Sequence, residues 1–150
     1  MKDPRLAAAL VAWIENRCPS LSGLVFPMSS PPSPVGPYCT YTFIDRVPVT
    51  SLGGLSGLTM RRIQIDVWDT DDVRGSALGF KIIGTQADPG LDQLQDVWSY
   101  PAIGDIAAGE FAVEYVEAQS PIETYEPPAD GTEAGWYRYS CDFLFNYVEG

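Results

Sequence analysis

The sequence contains no histidine, and this absence excludes more chemistry than any single residue present suggests. Without imidazole there is no Ser-His-Asp or Cys-His nucleophile system, no ordinary general base near neutral pH, and no His-based metal site. Cysteine is scarce. Its three residues, Cys18, Cys39 and Cys141, form no CxxC pair, and an odd count argues against a secreted disulfide framework. They read as buried free thiols of a reducing cytosol. Basic residues are also few, nine against 20 acids, which leaves a net charge of −11. A surface of that sign repels nucleic-acid phosphates and anionic membranes. No apolar run reaches the ~18 residues of a membrane span, and no basic-then-apolar leader opens the sequence. The expectation is a soluble protein made in the cytoplasm, with no metal, no cofactor and no membrane contact.

What is present can build a core. The chain has 150 residues, 45% of them hydrophobic and 12% aromatic, and reads as one domain spanning residues 1–150. A domain of that size buries roughly 70% of the surface its unfolded chain exposes. The clearest periodic signal lies in "GWYRYSCDFLFNYV". Tyr137, Tyr139, Cys141, Phe143, Phe145 and Tyr147 alternate with Arg138, Ser140, Asp142 and Asn146, and Leu144 is the single breach. Alternation of that kind marks a half-buried strand with an aromatic inner face.

At the other end, "DPRLAAALVAWIENR" reads as a helix. Asp3 supplies a cap, Pro4 suits the first turn, and Leu6, Leu10, Trp13 and Ile14 form one stripe. Residues 19–37 hold six prolines and read as an extended arm, with room for a short strand near Leu24–Phe26. A strand over 38–47, the glycine-rich "SLGGLSGL", and a second strand in "TMRRIQIDVWD" make an antiparallel hairpin with a long tip. Ile63, Ile65 and Val67 are expected inside, with Arg62, Gln64 and Asp66 outside. A helix over 71–85 follows, capped by the Asp69–Asp72 cluster. Gly75, Gly79 and Gly84 within it either weaken it or mark close packing. "LDQLQDVW" is read as a short turn. A third strand spans 110–119 with Phe111, Val113 and Tyr115 inside, and a long loop covers 120–135. The sum is an α+β domain: an antiparallel sheet of about four strands with helices packed on one face.

None of the chemistry-bearing motifs is specific. "GGLSGL" joins two strands and lacks the spacing of a phosphate loop. "DVWDTDD" clusters aspartates without calcium-loop spacing, and helix capping explains Asp69, Asp71 and Asp72 unaided. Glu114 and Glu117 have nothing that places them in a pocket. Trp68, Trp98 and Trp136 read as core or interface residues. No catalytic constellation emerges, and the chain is not expected to be an enzyme.

The order of motifs carries more than any one of them. Pro37-Tyr38 enters a strand, Gln64-Ile65-Asp66-Val67-Trp68 runs into a helix, and Tyr137-Arg138-Tyr139-Ser140-Cys141-Asp142-Phe143 forms the last strand. This series resembles the tail-terminator, or tail-completion, proteins of long-tailed bacteriophages and gene-transfer-agent particles, over most of residues 5–148. Two features depart from that pattern: the long segment "LDQLQDVWSYPAIGDIAAG" and the three glycines of the second helix.

The resemblance implies a structural virion protein of the tail and neck region. It would form a ring, expected to be hexameric, at the head-proximal end of the tail tube. The ring would end tube polymerisation, meet the tail-tube protein and the head-completion (stopper) protein, and let DNA pass through its lumen without specific binding. On that reading Leu52, Gly53, Gly54, Leu55, Gly57 and Leu58 form an inter-ring docking loop. Arg62, Gln64 and Arg138 lie at the subunit interface. Asp92, Asp96, Asp105, Glu123, Glu126, Asp130 and Glu133 belong to acidic loops lining the lumen. Another neck, stopper or tail-tube subunit is the nearest alternative. A small-molecule-binding α+β domain, with a pocket lined by Tyr139, Phe143 and Trp68, is the alternative of another class.

Overall fold

The computed structural model describes residues 3–28, 36–47, 58–128 and 135–148. Its first helix, α1 (Pro4–Arg17), starts where the cap was expected. The Asp3 carboxylate accepts the Arg5 amide at 3.0 Å, and Pro4 fills the first turn. Leu6, Leu10 and Ile14 bury their side chains completely. A single 3-10 turn at Pro19–Leu21 then leads into the three-residue strand β1 (Val25–Pro27).

The expectation of an α+β domain with about four antiparallel strands and helices packed on one face is overturned. Strands dominate, seven of them form one mixed sheet, and α1 and α2 are the only α-helices among the described residues. β1 runs parallel to β2 (Tyr38–Val47). β2 pairs antiparallel with β3 (Leu58–Asp69), and β3 lies along the whole of β7 (Trp136–Val148), from Leu58↔Val148 to Asp69↔Tyr137. Beyond β7 come β5 (Gly109–Ala118) and β4 (Asp96–Tyr100), while β6 (Ile122–Glu126) pairs the other half of β7's same edge. The Gln119 amide donates to the Asp142 carbonyl at 2.8 Å where β5 hands over to β6.

The two strands missing from the sequence reading share a physical cause. β6 is exposed at every residue, and β4 buries only Trp98. Their stability comes from backbone pairing, which leaves no alternating apolar signature to read. β5 differs for another reason. A register shift between Val113 and Tyr115 brings Val116 into the core and turns Tyr115 outward, against the inner position expected for it.

The core forms where the alternation of β7 predicts. Tyr139, Cys141, Phe143, Phe145 and Tyr147 are all buried, together with Ile63, Ile65 and Val67 of β3. Trp98 tilts against Phe145 at 5.9 Å between ring centroids, and Phe111 against Tyr147 at 5.5 Å. The Tyr147 hydroxyl donates to Asp3 at 2.8 Å, which ties the cap of α1 to the end of the last strand across 144 residues of sequence.

The second helix, α2 (Asp72–Ile83), is capped by Asp71, which accepts the Arg74 amide at 3.0 Å. Its glycines mark close packing. A Cβ on Gly75 would lie 2.9 Å from both Asp69 Cβ and the Tyr139 ring. Gly84 ends the helix at φ +87°, a backbone region costly for any residue with a Cβ.

Candidate assembly surfaces

The residues expected at a subunit interface do share one face of the sheet. Gln64, Asp66 and Trp68 alternate with the buried Ile63, Ile65 and Val67, and Arg138 lies directly opposite Trp68 across the β3–β7 pairing. Arg62 sits half-buried opposite Leu144. The surprise is Asp66. It was expected to face outward, and it does lie on the outer face, yet it is 0% exposed.

A layer of side chains covers it and satisfies it. Gln64 Nε2 donates to both carboxylate oxygens, at 3.1 and 3.0 Å, and Arg138 Nη2 reaches Oδ2 at 3.3 Å. The Arg138 guanidinium also lies 4.9 Å from the Trp68 ring centroid, in cation–π range. Trp68 Nε1 in turn donates to Thr40 Oγ1 at 3.2 Å, and Tyr38 stacks on Trp68 with the planes 3° apart. Trp136 meets Tyr38 edge-on. Two of the three expected interface residues, Gln64 and Arg138, are therefore already engaged with Asp66 inside the subunit. Trp68 and Trp136 were read as core or interface residues, but their layer with Tyr38 was not; its signal was present, since Trp68 and Trp136 share the parity of Gln64 and Arg138 on their strands.

The acidic residues do not converge. Asp92 accepts the Ala118 amide at 3.0 Å and fastens its loop to the end of β5. Asp96 lies on β4 and Asp105 in an exposed turn, whereas Glu123 and Glu126 lie on β6. Along β7, Val113 (opposite Asp96) pairs with Tyr147 and Glu123 with Tyr139, eight positions away, so Asp96 and Glu123 stand about 26 Å apart, with Asp92 held between them at Ala118. Asp130 and Glu133 fall outside the described residues, as do Leu52, Gly53, Gly54, Leu55 and Gly57 of the docking loop. Leu58 is the first residue of β3.

The aspartate cluster after β3 is committed to structure. Asp69, fully buried, forms a two-pronged ion pair with Arg74 at 2.7 Å on each oxygen and accepts the Asp71 amide. Asp72 receives the Tyr139 hydroxyl. Asp88 pairs with Arg17 at 3.0 Å, and the hydrogen bond from that guanidinium holds its carboxyl below the usual range. All three cysteines are buried and free. Burial pushes the Cys141 thiol up to about 12 and raises Cys39 and Cys18 as well, so none offers a thiolate at neutral pH.

A different surface stands out for its apolar exposure. Phe80 on α2 is 65% exposed and Ile122 on β6 is 62% exposed, and they flank a groove floored by Ile65, Val67, Tyr139 and Phe143. This groove sits above part of the aromatic face where a ligand pocket was considered, but it is open and Trp68 is not part of it.

No protein-family model and no curated protein sequence matches the chain. Among solved structures, the fold is similar to that of a chain in the structure titled "Virion of native gene transfer agent (GTA) particle". The two share 14% sequence identity with a TM-score of 0.51, and the match covers 97% of this chain and 98% of the other. The chain thus shares its fold, end to end, with a component of a gene-transfer-agent virion.

Proposed function

We propose that this chain is a structural protein of a phage or gene-transfer-agent virion, and more specifically a tail terminator. The observation that carries the reading is the full-length fold likeness to a chain of a gene-transfer-agent virion at low sequence identity. The finer assignment rests on the ordered motif series from Pro37-Tyr38 to Tyr137–Phe143. In this reading the chain forms a ring, hexameric by family resemblance, on the head-proximal end of the tail tube. It stops tube growth and offers its far side to a head-completion protein. Net charge of −11 suits a conduit wall, because like charge keeps DNA phosphates from adhering.

The test is tube length and location. Purified chain added to polymerising tail-tube protein is expected to cap tubes at one end and shorten their length distribution in electron micrographs. Label on intact particles is expected as a single focus at the head–tail junction. Label spread along the tail would identify a tube subunit instead. Label absent from particles would refute the virion reading altogether.

A further inference from the structure

β6 is exposed at each of its five residues, with Ile122 at 62% and Tyr125 at 50%. Its described pairing is with β7 alone, so the backbone N–H and C=O groups along its other edge meet no strand among the described residues. Such an edge is a template for one more strand. Proteins close unwanted edges with a bulge, a lysine or an internal proline. β6 has none of these. Its register runs unbroken from Ile122↔Ser140 to Glu126↔Trp136, and Pro121 and Pro127 stand just outside it. Its two glutamates are the guard that remains.

The surroundings define what fits there. Glu123, opposite Tyr139, lies on the inner face at the apolar groove beside Phe80, whereas Ile122 and Thr124 border a polar groove on the outer face with Gln64, Arg138 and Ser140. A strand added at this edge sends alternate side chains to the two faces, so its occupant alternates apolar and polar residues. Charge narrows the choice. Arg138 is the one base lining either groove, and it is turned to Asp66. A β6 strand from a second copy would bring two more glutamates to the same edge, and like charges across a strand pair are destabilising. β4 and β5 carry acids and no base, β1 is three uncharged residues, and β2 beyond β1 sets Asp45 beside Arg46. A basic strand instead turns Glu123 and Glu126 into cross-strand ion pairs. The same carboxylates thus reject copies of this chain and admit a partner of opposite charge.

We propose that β6 is a docking edge for a basic, extended segment of another protein, alternately apolar and polar, which joins the sheet beside β6 as an added strand. Main-chain hydrogen bonds supply the hold, Glu123 and Glu126 select the charge, and the groove beside Phe80 receives apolar side chains. The inference stands whether or not the chain caps a tail tube.

The experiment uses the full chain and three synthetic peptides read by fluorescence anisotropy. The first is basic, acetyl-KIKVKIK-amide, and the second its acidic counterpart, acetyl-EIEVEIE-amide. The third is the basic peptide N-methylated at its three central residues, which keeps the charge and removes backbone donors from both of its edges. The basic peptide is expected to bind at least about tenfold more tightly than either of the others, and to slow amide hydrogen exchange within Ile122–Glu126. The variant Glu123→Lys/Glu126→Lys is expected to prefer the acidic peptide, with unchanged circular dichroism because both side chains are exposed. Equal binding of the methylated peptide, which would mean attraction by charge alone, overturns the proposal. So does a folded reversed variant that keeps the parent's preference, or slowed exchange confined to other strands. Protection of β6 that rises with protein concentration and no peptide would make a second copy the occupant, and overturns it too. The parent's response to the three peptides decides the matter even where the variant does not fold. Peptide binding reads this edge and tube capping reads the function, so the two fail separately.

Discussion

Removing Arg138 tests whether the outer sheet face is held together by its buried charge. In Arg138→Met the Asp66 carboxylate, 0% exposed, keeps among the described residues the two contacts from Gln64 Nε2. Breaking one partner from a buried ion pair costs ~3–5 kcal/mol when the remaining charge has no access to water. Two features lower that figure here. The Arg138 side chain is itself 26% exposed, and its single contact to Asp66 is long, at 3.3 Å. The Met side chain also keeps part of the packing on Trp68 but not the cation–π attraction. A loss of about 2–3 kcal/mol follows, which for a domain of this size lowers Tm by roughly 4–12 °C. The assay is equilibrium urea unfolding of the parent, Arg138→Met, Asp66→Asn and the double variant. Because the two residues are in contact, their effects are expected to be non-additive, with a coupling above ~1 kcal/mol. A coupling under ~0.5 kcal/mol, or a loss for Arg138→Met within ~0.5 kcal/mol of zero, refutes the argument that Asp66 depends on Arg138.

Three further outcomes follow from the geometry. Gly75→Ala is expected to destabilise by about 1–3 kcal/mol despite a helix-propensity gain of ~1 kcal/mol, because the new methyl meets Asp69 and the Tyr139 ring at 2.9 Å; a thermal melt showing stabilisation disproves the close approach. Asp3 titrates low: burial pushes its pKa up, but hydrogen bonds from Arg5 and Tyr147 outweigh burial and leave it below its ordinary 3.8. Its contribution to stability is therefore present above pH ~3.8 and lost as pH falls through the lower folded value, so Asp3→Asn is expected to flatten the acid limb of the stability–pH curve and an unchanged limb contradicts this. Cys18, Cys39 and Cys141 are all buried, and burial raises each thiol pKa, so an aromatic disulfide reagent at pH 8 is expected to label them only as fast as the protein unfolds; rapid native labelling of any of the three contradicts the structure.

Legibility followed burial. β7 and β3 could be read because one face of each meets the core, so apolar and polar residues alternate along them. α1 could be read because Asp3, Pro4 and the stripe of Leu6, Leu10 and Ile14 all point to the same element, and its cap forms as expected. β4 and β6 could not, because a strand held by its neighbours' backbones need not bury side chains. Tyr115 was misassigned for a subtler reason: a register shift moves every later residue to the other face, and no composition signal announces it. On the outer face, the sequence reading selected Arg62, Gln64 and Arg138 by their parity on the strands and by the ring that the resemblance implies. Parity gives the face, but it does not say that Asp66 beneath would claim two of them.

That claim changes what an interface on this face would involve. A free Arg138 would offer a neighbouring subunit an open cation, and a new ion pair there would be set against the desolvation of both charges. With Gln64 and Arg138 already directed at Asp66, the outer face instead presents a polar layer paired largely from within, Arg138 Nε apart, and stiffened by the Tyr38–Trp68 stack. Covering such a layer gains little, but it costs little too, because its strongest charges are already paired. The more favourable surface to cover lies elsewhere on the molecule. Phe80 and Ile122 at the α2–β6 groove supply exposed apolar area, where burial is favourable at ~25 cal/mol per Å². The acidic residues lie apart along β4, β5 and β6, which limits repulsion among them within the chain.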